Sequence, residues 1–175
     1  MRFVAVGQGH RFITAPRPAT LDSPVGVGSG MTGLPVAWDR IELPYGRIAL
    51  RTAYGLFLSC QREARQLPRL TLSEEMGPRE AFEEILWPEG EVSLRTCELT
   101  FVSLAVETSG AEPELKCNVE ETGERERFRY HDLPREVLVE VEDVVSGQPQ
   151  VPDMPRQFAH TLDDLRDTPE HNGQA

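Results

Sequence analysis

At 175 residues the chain suits a single domain that can bury a core without disulfide or metal staples. Its 29 acidic residues outnumber its 18 basic ones, for a net charge of −11, the wrong sign for nucleic-acid backbones or anionic lipid. No apolar run approaches the roughly 20 residues of a membrane helix, and "MRFVAVGQGH" lacks the apolar stretch and cleavage site of a secretory signal. Cys60, Cys97 and Cys117 form no C-x-x-C motif, which predicts a reducing, cytoplasmic setting with no metal and no cofactor.

The chain opens with "RFVAVGQGHRFITA", two short apolar runs around a glycine turn, which predicts a β-hairpin. A third short strand follows at "PVGVG", and a fourth at "WDRIELP" ends in Pro44, which has no N–H for a ladder. Between them "GVGSGMTG" (26–33) has the glycines of a phosphate loop but no Lys-Ser/Thr ending, and is read as a long connecting loop. The pattern then starts again. "RIALRTAYGLFLSC", "RLTLS" and "FEEILWP" occupy the same slots, and "EVSLRTCELTFVSL", "ELKCN" and "FRYHDLP" occupy them a third time. Arg51 to Arg95 and Phe57 to Phe101 are both 44-residue steps, and Phe12 lies 45 residues before Phe57. Trp38, Phe82 and Phe128 each stand six residues before a proline. Large aromatics recurring at a fixed phase are core positions, so Phe12, Trp38, Phe57, Phe82, Phe101 and Phe128 are the expected core.

Three units, about 1–45, 46–89 and 90–135, with four short strands apiece predict an all-β β-trefoil, a closed barrel capped by hairpins about a threefold axis. Residues 136–175 form an acidic extension with nine acidic and two basic side chains. Alternation at Val137, Val139 and Val141 in "EVLVEVEDVV" predicts one extra strand. "SGQPQVPDMP" reads as a linker, and Phe158, Leu162 and Leu165 share one face of a short helix that could dock in a groove or stay frayed.

"GRIALRTAYGLFLSC" resembles the fascin-type β-trefoil repeat, a Val/Ile-Ala-Leu-Arg-Thr strand, a glycine turn, and an aromatic-Leu-Ser-Ala strand. The later aromatic, followed three residues on by an apolar residue, matches Trp38-Ile41 and Phe82-Ile85. The likeness covers roughly residues 1–135 and weakens in the third unit, where Glu98-Leu99 replace the turn glycine and His131 replaces the isoleucine. The resemblance implies a non-enzymatic binding module. Its best-known members bundle actin through basic patches, a role an acidic chain with Lys116 as its one lysine does not favour.

The repeat accounts for the cysteines as apolar positions: Cys60 aligns with Ala15 and Leu104, Cys97 with Ala53, and Cys117 with Val27 and Leu72. The acidic pairs Glu74-Glu75, Glu83-Glu84, Glu120-Glu121 and Glu142-Asp143 are read as solvated, because neighbours on a strand face opposite ways. His131 is read as a hydrogen-bonded barrel residue, with a ligand or a pH-sensitive latch as the alternatives. No catalytic residue is predicted. Tyr45 and Tyr54, in predicted turns, join Phe158, Leu162 and Leu165 as candidate binding residues. The expected function is recognition of another protein that presents a basic face. The alternatives are a carbohydrate-binding trefoil, though no Gln precedes either tryptophan by two residues as in the lectin motif, and a small hydrolase.

Overall fold

The computed structural model describes residues 1–16, 21, 24–62, 64–105 and 113–147. Strands β1 (Phe3–Gln8), β2 (Arg11–Thr14), β3 (Gly26–Ser29) and β4 (Trp38–Leu43) make the first unit. The second contains β5 (Arg47–Thr52), β6 (Phe57–Gln61), β7 (Arg69–Ser73) and β8 (Phe82–Leu86). The third contains β9 (Val92–Arg95), β10 (Phe101–Ala105), β11 (Glu114–Val119) and β12 (Arg129–Asp132), and helix α1 (Arg135–Ser146) follows it. The loop expected over 26–33 is therefore half strand: Gly26–Ser29 pairs with β2 in unbroken antiparallel register.

The first and fourth strands of each unit build the barrel. β4 pairs β5 and β8 pairs β9 as hairpins, and β12 returns to pair β1, closing the ring. Across each unit the first strand meets the fourth at equivalent residues: Val4 opposite Trp38, Ile48 opposite Phe82, Val92 opposite Phe128. The last of these exchanges two backbone hydrogen bonds of 2.8 Å, so no edge is left open there. The hairpins β2–β3, β6–β7 and β10–β11 cap one end. This is a β-trefoil. Trp38, Phe82 and Phe128 sit in one core, all but fully buried, beside Val6, Leu50 and Leu94 from the facing strands. Phe12, Phe57 and Phe101 are also buried. The Trp38 indole keeps its polar atom satisfied by donating to the Ile13 carbonyl at 2.9 Å.

The repeated Leu-Arg-Thr has an electrostatic reason. Arg51 faces Asp39 across the β4–β5 ladder and bonds it at 2.8 Å, and Arg95 faces and bonds Glu83 in the same register. In the first unit the position of these arginines is taken by Gly7, opposite Arg129. A Cβ at Gly7 would lie 2.4 Å from the Phe12 ring, so only glycine lets that ring lie against β1.

The extension departs from expectation. Residues 135–146 are a helix, not a strand. Pro44-Tyr45-Gly46 and Pro88-Glu89-Gly90 turn into the next strand through two successive positive φ angles, 63 and 69° in one, 72 and 78° in the other. Such a turn needs glycine at its second central residue. Pro134-Arg135-Glu136 has none, and proline is instead well placed to start a helix. Val137, Val141, Val144 and Val145 then share a helical face, of which Val137 and Val141 are buried. The helix expected around Phe158, Leu162 and Leu165 lies outside the described residues.

Candidate partner-binding surface

The place where α1 lies is set by a break in the threefold pattern. Before the core aromatic, the second and third units read Gly-Pro-Arg-Glu-Ala-Phe and Gly-Glu-Arg-Glu-Arg-Phe. Glu80 and Glu126 are buried there. Each accepts a hydrogen bond from a serine on the cap hairpin, Ser59 at 2.7 Å and Ser103 at 2.8 Å. Each also accepts the N–H of the glycine three residues before it, Gly77 or Gly123. A buried carboxylate satisfied in this way holds the turn to the hairpin.

In the first unit the same slot reads Gly-Leu-Pro-Val-Ala-Trp, and Val36 replaces the glutamate. Removing the charge removes the need for polar partners and leaves an apolar floor. Val36, Ala37, Ala5, Phe12 and Ala53 form that floor, and Val137 and Val141 of α1 complete the cluster with Leu133. The helix is thus part of a second, smaller core built mainly on unit one, with Ala53 from the second unit and Leu133 from the third.

With that face buried, α1 turns the rest of its surface outward, Leu138 at the border of the buried stripe and Val139 away from it. Leu138 and Val139 are 37% and 49% exposed. Glu136, Glu140, Glu142 and Asp143 are exposed on the same helix, with Arg135 as its only basic residue. Two apolar side chains among four carboxylates make a ridge suited to a partner with matching apolar and basic groups.

Tyr45 and Tyr54 are both about half exposed. Strand β5 separates them, some 17–20 Å at the usual rise per residue, so they do not form one patch. Tyr54 follows Ala53, a member of the floor under α1, whereas Tyr45 sits in the turn at the other end of the strand. The candidates Phe158, Leu162 and Leu165 lie outside the described residues. The signal that sequence reasoning missed was the helical spacing at Val137, Val141, Val144 and Val145, hidden by an equally good alternation.

Sequence reasoning also missed a polar cluster inside the barrel. Arg40, Glu84 and Tyr130 each stand two residues after a core aromatic, one per unit, on the same inward face. Arg40 grips Glu84 with two hydrogen bonds of 3.0 and 2.7 Å, Tyr130 donates to the same carboxylate, and the Arg40 guanidinium lies 5.3 Å from the Tyr130 ring centre. Glu84 is therefore not a solvated residue: its side chain is 9% exposed. Burial pushes its pKa up, but the bonds from Arg40 and Tyr130 outweigh that and hold it below the usual carboxylate range. Burial and the Glu84 carboxylate push the Tyr130 phenol up. By contrast Glu74, Glu75, Glu120, Glu121, Glu142 and Asp143 are exposed.

His131 occupies the slot of Ile41 and Ile85, opposite Ala5. Its ring meets Phe12 edge-on at 5.3 Å, and its Nε2 is buried without a hydrogen-bond partner. The hydrogen-bonded barrel histidine expected from the sequence is thus held by ring packing instead. Cys60 and Cys117 touch at 3.2 Å in the core, a contact that lowers the Cys60 pKa and, with burial, raises that of Cys117. Cys97 is half-buried, and burial raises its pKa. Among the described residues no three metal-ligating side chains cluster, and no helix is long and apolar enough to cross a membrane.

No protein-family model matches the sequence, and no curated protein does. Solved structures do match. The crystal structure of the designed 3-fold symmetric protein ThreeFoil is similar over 75% of this chain and 99% of its own, with a TM-score of 0.66 and 12% identity. The structure of a mosquitocidal holotoxin is similar over 78% of this chain, with a TM-score of 0.60 and 11% identity. This chain spans only 18% of that toxin's length. At such identities the likeness is one of fold: threefold β-trefoil architecture.

Proposed function

We propose that this chain is a non-catalytic binding module that docks another protein through the outward face of α1, and that the partner brings a basic surface. The observation that carries this reading is the ridge itself. Leu138 and Val139 stand exposed among Glu136, Glu140, Glu142 and Asp143 on a helix anchored to the trefoil through Val137 and Val141. Anchoring matters because a helix already ordered on its scaffold loses less conformational freedom on binding. The fascin-like form of the repeats supports a scaffold whose surface, not its interior, carries the activity. The acidic excess of the chain supports attraction to a basic partner over longer range.

The test is affinity capture with the wild-type chain, with Leu138→Glu/Val139→Glu, and with Glu142→Lys/Asp143→Lys. Both double variants should lose the captured partner while keeping the wild-type melting temperature, and wild-type binding should weaken as salt rises. Binding that strengthens with salt, or that survives both variants, would overturn the proposal. A glycan array on the same proteins decides the carbohydrate alternative.

A further inference from the structure

A second surface, separate from the α1 ridge, is an open pocket of about 440 Å³ where the end of β1 meets the turn before β12. Its size is in the range of small-ligand sites. Three arginines, Arg125, Arg127 and Arg129, enter it alongside Glu91 and Glu124. Their charges do not simply cancel. Arg129 is committed: it donates to the Glu89 carbonyl at 2.6 Å and to the Glu91 carboxylate at 3.2 Å. That ion pair neutralises Glu91 and leaves Arg125 and Arg127 facing one carboxylate, Glu124. In a chain of net charge −11 this is a local excess of positive charge.

Arg127 is also pre-positioned. Its guanidinium lies 4.2 Å from the Trp87 ring centre, and its Nε is buried with no hydrogen-bond partner. Stacking fixes the plane of the fork while leaving its edge without a carboxylate. The plate beneath it is fixed in turn, because the Trp87 indole donates to Ser93 Oγ at 2.8 Å and Ser93 donates to the Glu126 carbonyl at 2.8 Å. From the other side the Gln8 side-chain amide donates to the carbonyls of Glu124 and Arg127. The backbone that carries two of the arginines is therefore held at three carbonyls by side chains from β1 and β9. A Cβ built on Gly9 would meet nothing within 4 Å, so the space beside Gln8 is open.

We propose that this pocket binds a carboxylate, with the Trp87-stacked Arg127 as the planar receptor and Arg125 as the second cation. A rigid guanidinium fork matches the two oxygens of a carboxylate. With Glu91 paired to Arg129, the two remaining arginines exceed Glu124 by one positive charge, which a singly charged carboxylate balances, whereas a dianion leaves the pocket net negative. The carboxylate could be a peptide C-terminus or a free small acid. The probes separate these: N-acetylglycine stands for the peptide terminus, acetate for the free acid, and N-acetylglycinamide is the uncharged control.

Tryptophan fluorescence of the full chain reads the site, because Trp38 is fully buried and Trp87 lies under Arg127. Both acids should produce a saturable change, and the amide none. Arg127→Gln and Arg125→Gln should each weaken the response by about tenfold or more, as expected for loss of a charge-assisted contact. Arg62→Gln, which removes a charge paired with Glu98 elsewhere, should leave it unchanged. N-acetylglycine binding at least about tenfold tighter than acetate assigns a peptide terminus, and similar affinities assign a free acid. The proposal fails if the amide binds like the acid, if inorganic phosphate binds more tightly than either acid, or if Arg62→Gln weakens binding as much as Arg125→Gln. Should Arg127→Gln not fold, exposed Arg125 alone decides, and unchanged binding by Arg125→Gln overturns the assignment.

Discussion

At the scale of single residues, backbone conformation explains where the third unit differs from the others. Gly55 takes φ 87° in the β5–β6 turn, and Leu99 takes φ 63° in the corresponding β9–β10 turn. Leu99 pays the steric cost of a left-handed conformation, on the order of 1–2 kcal/mol, and its side chain is exposed. Glycine at that position relieves the strain but gains freedom in the unfolded chain. Leu99→Gly is therefore expected to stabilise the protein by a net amount of about 0.5–1 kcal/mol, read as a higher denaturant midpoint at unchanged slope. The sequence showed that the glycine was missing. It could not show that the turn would keep its shape regardless, because the strands on either side impose that shape through the Thr96–Thr100 backbone bond.

At the scale of elements, α1 shows why a period can mislead. Val137, Val139 and Val141 alternate, and Val137, Val141, Val144 and Val145 also follow a helical stripe. β-branched residues favour the strand slightly. Two features outside the periodic segment decided the outcome: the absent glycine after Pro134, and the apolar floor around Val36 that a helix of this width covers. Val141→Ala should then cost about 2 kcal/mol through lost burial and the cavity it leaves. The loss should be seen in chemical denaturation, with little change if the residue instead faced solvent. Leu138→Ala on the exposed side should change stability by less than about 0.5 kcal/mol.

At the scale of the whole molecule, Arg40, Glu84 and Tyr130 join all three units through one carboxylate. Glu84→Gln leaves Arg40 with only the exposed Glu42 carboxylate as its anion and is expected to destabilise the fold by about 2–3 kcal/mol near neutral pH. The pH dependence follows from the depressed Glu84 pKa. Stability from this group is fully present above the ordinary glutamate value, about 4.3, and is lost as pH falls through the lower value it has when folded. Denaturation curves should therefore show wild type and Glu84→Gln converging only below about pH 4.3. A gap between them that is constant over that range would show that Glu84 titrates normally.

What the sequence determined by itself was the architecture. The aromatics at Trp38, Phe82 and Phe128, the three hairpins and the two Pro-x-Gly turns are local patterns repeated in register, and local patterns are enough to specify strands, turns and a common core. What only the tertiary structure decided was which side chains meet, within a unit and across units. The Glu84 cluster, the buried Glu80 and Glu126, the floor under α1 and the Trp87–Arg127 pocket each bring together residues far apart in the chain. The meaning of a carboxylate or an arginine depends on what barrel closure places opposite it, and a single strand carries no record of that neighbour.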